Sequence, residues 1–150
     1  MKYFIGADHA GIDFKNIVKE LFENNGHEVF DMGPFTKERV DYPDFAAKVC
    51  KQVIATQNSK GILICGTGIG MSMAANKFDG IRAALCHNEY SAVMARQHND
   101  ANVLCLGERV SGQGILEAIV NAWDSNSFEG GRHTIRVEKI NALSKMGTWR

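Results

Sequence analysis

The stretch "GILICGTGIGMSMAANK" (61–77) joins a short apolar run to a helix-like segment through a turn with glycines at 66, 68 and 70. "GILIC" (61–65) shows no polar alternation, the pattern of a parallel strand covered on both faces. The helix-like part spans about 69–77. A strand feeding a helix through glycines is half of a strand–helix–strand unit, so the flanking sequence decides the fold.

The same alternation repeats in both directions. Upstream, "KYFIGA" (2–7) reads as a strand ending at Asp8 and His9. From Gly11, apolar Ile12, Ile17, Val18, Leu21 and Phe22 fall near helical spacing, and Gly26 is the expected stop. "HEVFDMG" (27–33) reads as a second strand. Asp41-Tyr42-Pro43-Asp44 opens a helix to about residue 57, since proline suits a first turn and aspartate suits a positive helix end.

Downstream, "IRAALC" (81–86) is a fourth strand, about 89–98 a helix, "ANVLCLG" (101–107) a fifth strand and about 112–124 a helix. A tail from about 134 to 146 is helical with no sheet position left for it. Five strands alternating with helices predict an α/β fold: a three-layer α/β/α sandwich around a five-stranded parallel sheet, Rossmann-like, with a C-terminal helical extension. Residues 1–150 are read as one domain. Strand order is not readable from the alternation.

Composition narrows the function. Acidic and basic residues balance at 17 each, so no global field draws the chain to nucleic acid or an anionic membrane, and any anion must be held locally. No apolar stretch reaches the ~20 residues of a membrane span. "MKYFIGADHAG" shows no signal-peptide core or cleavage site, so a cytoplasmic protein is expected. The cysteines at 50, 65, 86 and 105 form no C-x-x-C pair and no zinc-spaced cluster. They are read as free thiols, with Cys50, Cys86 and Cys105 in the core, and no metal is expected.

Ligands of open parallel sheets collect at the carboxyl ends of the strands. Asp8 and His9 follow the first strand, Cys65 and its loop the third, and Arg109 the fifth, while His98, Asn99 and Asp100 precede the fifth. Taken together as one cluster, these groups point to an enzyme or a small-molecule binder.

Three loop chemistries fail on the glycine turn. A nucleotide P-loop needs lysine where Thr67 stands, and a dinucleotide fingerprint needs G-x-G-x-x-G where this loop reads G-x-G-x-G. A thiol phosphatase needs arginine where Met71 stands. What survives is an anion hole of converging backbone N–H groups, suited to phosphate or to an oxyanion formed during reaction. A cysteine at its mouth would have its thiolate favoured. The plainer reading, a buried cysteine with glycines needed for helix–sheet packing, stays open on the loop alone.

"GADHAG" (6–11), "DYPDFA" (41–46), "CGTGIGMSMAANK" (65–77), "GIRAAL" (80–85), "ARQHNDANVLCLGERV" (95–110) and "FEGGRHTIRVEKI" (128–140) together resemble the ribose/galactose sugar-phosphate isomerase family, and within it the B-type ribose-5-phosphate isomerases. The resemblance implies aldose–ketose isomerisation of ribose 5-phosphate and ribulose 5-phosphate in the pentose phosphate pathway, without metal or organic cofactor. It implies Cys65 as the base moving a proton between C1 and C2 through a cis-enediolate. Backbone N–H groups of Gly66, Gly68, Ile69 and Gly70 would hold the enediolate, with Thr67 as partner hydroxyl. Asp8 and His98 match ring-opening residues. His9, Arg109, Arg132 and Arg136 match the phosphate-holding set, and Tyr42 and Asn99 line the sugar site.

Part of the family uses a glutamate base; Cys65, with no acid over 71–75, places this chain on the cysteine branch. The resemblance also implies a homodimer, or a dimer of dimers, with the active site shared between subunits. His27, His87 and His133 are read as structural or exposed. The alternatives are an isomerase of allose or galactose 6-phosphate and, from another class, a non-catalytic sugar-phosphate binder.

Overall fold

The structure is a computed structural model and describes residues 1–146. In chain order the elements are β1 (Lys2–Ala7), α1 (Ile12–Asn24), β2 (Glu28–Asp31), α2 (Tyr42–Ala55), β3 (Ser59–Cys65), α3 (Ile69–Ala75), β4 (Ala83–Leu85), α4 (Glu89–Gln97), β5 (Val103–Gly107), α5 (Gln113–Asp124) and α6 (Arg132–Leu143). The five strands form one parallel sheet in the order β2-β1-β3-β5-β4. The expected architecture holds, and the strand order is new information. β5 inserts between β3 and β4, which leaves β4 at an edge.

Strand pleating explains the two cores. Successive side chains alternate between faces, so Ile62 and Ile64 enter one cluster while Leu63 and Cys65 enter the other. The first cluster packs under α1, α4 and α5, with Phe14, Val18, Ala92, Leu116 and Trp123 buried in it. The second packs under α2 and α3, with Phe45, Val49, Met71 and Ala75 buried in it. Each strand of the centre is therefore apolar on both sides, as "GILIC" suggested.

Several boundaries differ from expectation. β2 and β4 are shorter than read, at Glu28–Asp31 and Ala83–Leu85. Gly33 takes φ +84, a left-handed turn that ends the β2 segment. α6 begins at Arg132 rather than 134, launched by Gly130 and Gly131, both at positive φ.

α6 belongs to neither layer. It buries only His133 and Val137 and is tied to the segment that leads into β4. Asn141 accepts a hydrogen bond from Arg82 at 3.0 Å, and Ser144 donates to Asp79 at 2.5 Å.

Candidate active site

The chain leaves β1 for β2 on one side and returns to β3 on the other. That reversal opens a crevice at the carboxyl ends of β1 and β3. Ala7 pairs with Ile64, and the Asp8 N–H donates to the Ile64 carbonyl at 3.0 Å. Asp8 and Cys65 are thereby brought to one mouth. Asp8 is buried and also accepts the Ala10 N–H at 2.9 Å, so its carboxylate closes the turn into α1.

The glycine loop is built by close approach. Gly68 caps α3 with φ +78, a conformation that β-carbon sterics disfavour. Its N–H donates to Cys65 Sγ at 3.1 Å, so a backbone dipole faces the sulfur. Gly70 lies under Tyr42: a β-carbon there would come within 2.6 Å of the phenol ring. The Ile69 N–H is taken by Thr67 Oγ1 at 3.2 Å. Gly70 and Met71 hold the next N–H groups of the first turn of α3, which ordinary helix geometry leaves without partners.

The four cysteines sit in different surroundings. All four are free and buried. Burial pushes the Cys50 thiol up to about 12 and raises those of Cys86 and Cys105 as well. Cys65, at a strand end, has a donor at its sulfur.

Around this mouth, His9 Nδ1 accepts the Val40 N–H at 3.3 Å. The Arg109 N–H donates to the Gly66 carbonyl at 2.9 Å, and its guanidinium packs against Gly66. Sequence reading missed Glu108. Its carboxylate accepts the Phe14 N–H at the start of α1 at 3.2 Å, and burial raises its pKa. The signal was available, since Glu108 directly follows the fifth strand.

One expectation is overturned. His98, Asn99 and Asp100 do not join this mouth. β3 and β5 are parallel, with Gly61 opposite Val103 and Cys65 opposite Gly107. Residues that precede β5 therefore stand at the amino end of the sheet, at least four residues, about 13 Å, from Cys65 along the strand. Preceding a strand and following one are opposite ends of the same layer.

That amino end carries the remaining candidates. His98 stacks on His133, with ring centroids 4.1 Å apart, and His133, read as structural or exposed, is buried. Arg132 and Arg136 lie on the same first turns of α6 and face solvent. Asn99 and Asp100 form a turn held by two arginines. Arg82 donates to both of their carbonyls, and Arg82 and Arg96 each pair with the Asp100 carboxylate at 3.2 Å. Within one chain the candidate residues thus form two groups at opposite ends of the sheet.

The model of one family, ribose/galactose isomerase, matches residues 3–140. The chain belongs to the ribose/galactose isomerase family. It is 47% identical over 144 residues to ribose-5-phosphate isomerase B of Escherichia coli (strain K12), covering 96% of this chain and 97% of that one. Among solved structures, ribose-5-phosphate isomerase B of Clostridium thermocellum superposes with TM-score 0.94 at 50% identity, covering 97% of this chain and 98% of that one. The Mycoplasma genitalium enzyme with bound ribulose 5-phosphate gives TM-score 0.92 at 42% identity, with 97% of each covered. Family membership adds weight to the carboxyl-end mouth as more than a packing turn.

Proposed function

We propose that the chain, with residues 1–150 acting as one catalytic domain, interconverts ribose 5-phosphate and ribulose 5-phosphate. The observation that carries this reading is the Gly68 N–H directed at Cys65 Sγ, at the switch point of a family member. A proton next to a carbonyl is weakly acidic, so its removal needs a base in contact and donors for the enediolate oxygen. Cys65 thiolate takes the C2 proton of the open-chain aldose and returns it to C1. The free N–H groups of the loop, Gly70 foremost, hold the developing oxyanion. Thr67 passes protons between the two sugar oxygens, and Tyr42 and Asn99 line the sugar.

The two groups of residues support a shared site. Asp8 and His98 serve ring opening, yet they stand at opposite ends of one sheet. His9 and Arg109 are at one end, while Arg132 and Arg136 are at the other. A second copy that docks its amino end on this carboxyl end supplies the missing half. Exposed apolar residues accompany both halves, Ile69 and Met73 on α3 and Ile135 and Ile140 on α6. The proposed unit is therefore a homodimer with each site built from two chains. A sugar phosphate is the ligand, and no step of this scheme calls for a metal or an organic cofactor.

Proton NMR of the purified chain with ribose 5-phosphate in D2O and EDTA tests this. Ribulose 5-phosphate should form, with deuterium entering at C2 of recovered ribose 5-phosphate. Unchanged substrate without deuterium would leave a binding protein instead. Comparing kcat/KM for ribose 5-phosphate and allose 6-phosphate then decides the substrate, and a clear preference for allose would displace ribose.

A further inference from the structure

His98, Glu129 and His133 form a group that isomerisation does not use as a unit. The two imidazoles are nearly parallel, 13° apart, with centroids 4.1 Å apart. Their Nε2 atoms lie 4.0 and 3.9 Å from the same Oε2 of Glu129. Those separations are too long for hydrogen bonds. Three ligand atoms, all within 4.8 Å of one another, therefore face a common gap.

The scaffold beneath them is fixed. The Glu129 N–H donates to the Gln97 carbonyl at 3.0 Å, and the Gln97 side chain donates to Asn126 at 2.8 Å, docking the 126–129 segment on the end of α4. The His133 N–H donates to the Gly130 carbonyl at 3.1 Å, and its ring is buried. His98 and Glu129 keep freedom, with side chains 36% and 51% exposed.

We propose that His98, Glu129 and His133 bind a divalent cation of the zinc class. Two imidazole nitrogens and one carboxylate oxygen suit zinc, cobalt or nickel, whereas magnesium and calcium prefer oxygen. With metal–ligand bonds of about 2.0–2.1 Å, donors around a tetrahedral ion stand about 3.4 Å apart. The gap must therefore close by roughly 0.5–1.4 Å, a movement open to the exposed His98 and Glu129 against a fixed His133. Arg132 and Arg136 oppose the dication and the Glu129 carboxylate offsets part of that, so binding is reversible rather than structural. Resting on the proposed isomerisation, the consequence is inhibition, because the ion takes the His98 nitrogen needed for ring opening.

Equilibrium dialysis with Zn2+ tests the site directly, on full-length Cys65→Ser protein so that the active-site thiol cannot bind. One zinc per chain is expected, displaced by Co2+ and not by Mg2+. Glu129→Gln and His133→Ala, each confirmed as folded by circular dichroism, should weaken binding at least tenfold. Unchanged zinc affinity in folded Glu129→Gln, or no zinc bound by the Cys65→Ser parent, overturns the site. In the unsubstituted chain, zinc should suppress isomerisation and EDTA restore it, with Glu129→Gln resistant; equal inhibition of both would place the inhibitory ion elsewhere. A chain that holds zinc without isomerising ribose 5-phosphate refutes the function and keeps the site. One that isomerises but binds no zinc does the reverse.

Discussion

The two ends of the sheet solve binding in opposite ways. At the carboxyl end the groups are mostly backbone, fixed by close packing: Gly68 at φ +78 aims its N–H at Cys65, and Gly70 lies against the Tyr42 ring. At the amino end they are long cationic side chains on a helix that buries two residues. A preorganised hole is suited to a charge that exists only in the transition state. Flexible arginines are suited to a phosphate charged throughout. The difference predicts that damage to the Cys65 loop at the first end falls on kcat and damage to the α6 arginines at the second on KM.

Cys65→Ala is the largest break in that division. Removing a general base costs about 10²–10⁴-fold in rate, and we expect kcat to fall by at least about 10³-fold with KM nearly unchanged. Retained activity would move the base away from Cys65. The same variant tests the sharing of the site. Cys65→Ala and His98→Ala homodimers should each be nearly inactive. Equal mixing of refolded chains should recover about a quarter of wild-type activity, because half the dimers carry one intact site. No recovery on mixing would mean that the two ends do not meet.

Arg136→Ala should leave kcat within about twofold and raise KM by about 10–100-fold, the range of a lost charge-assisted hydrogen bond. A fall in kcat with KM unchanged would place Arg136 in the chemistry. That outcome would erase the contrast between the ends.

These ends were unequally legible in the sequence. The glycine loop could be read because backbone chemistry is local: the residues that build the hole are consecutive, and each known loop type could be rejected at one position. The layers were legible because apolar runs and helical spacing are local too. The insertion of β5 between β3 and β4 was not, since strand order depends on pairings between residues some 40 positions apart. His98 was misplaced for a related reason, because its neighbours in sequence follow the chain while its position follows the direction of a parallel strand. His133 was passed over because nothing in "GGRH" says which side of a helix is covered; the stack on His98 is a tertiary contact.

Gly68→Ala tests how far the carboxyl end depends on its backbone. A β-carbon there would stand 2.5 Å from Leu85 Cδ1 and 3.0 Å from the Leu106 carbonyl carbon and oxygen, at a φ of +78. The leucine methyl can move; the backbone of a central strand moves less. Left-handed strain and overpacking together should cost about 2–4 kcal/mol in denaturant unfolding. The N–H aimed at Cys65 would shift with it, so kcat should fall more than KM changes. A variant with wild-type stability and kcat would show the loop to be softer than its packing.

Lys60 gives the smallest effect and probes the crowding of cations at the amino end. It stands near the start of β3, and burial followed by the charge of Arg96 lowers its pKa from the ordinary 10.5 to about 8. Between those values the unfolded chain binds the proton and the folded chain does not, so stability rises with pH across that window. Below pH 8 both states are protonated, and the folded chain bears the full penalty of an ill-solvated ammonium. Lys60→Met removes it. Thermal unfolding should therefore show a modestly raised Tm for Lys60→Met at pH 7, with the gain shrinking from pH 8 upward and vanishing above 10.5. A gain independent of pH would assign the benefit to packing, and the amino end would then owe its character to its exposed arginines alone.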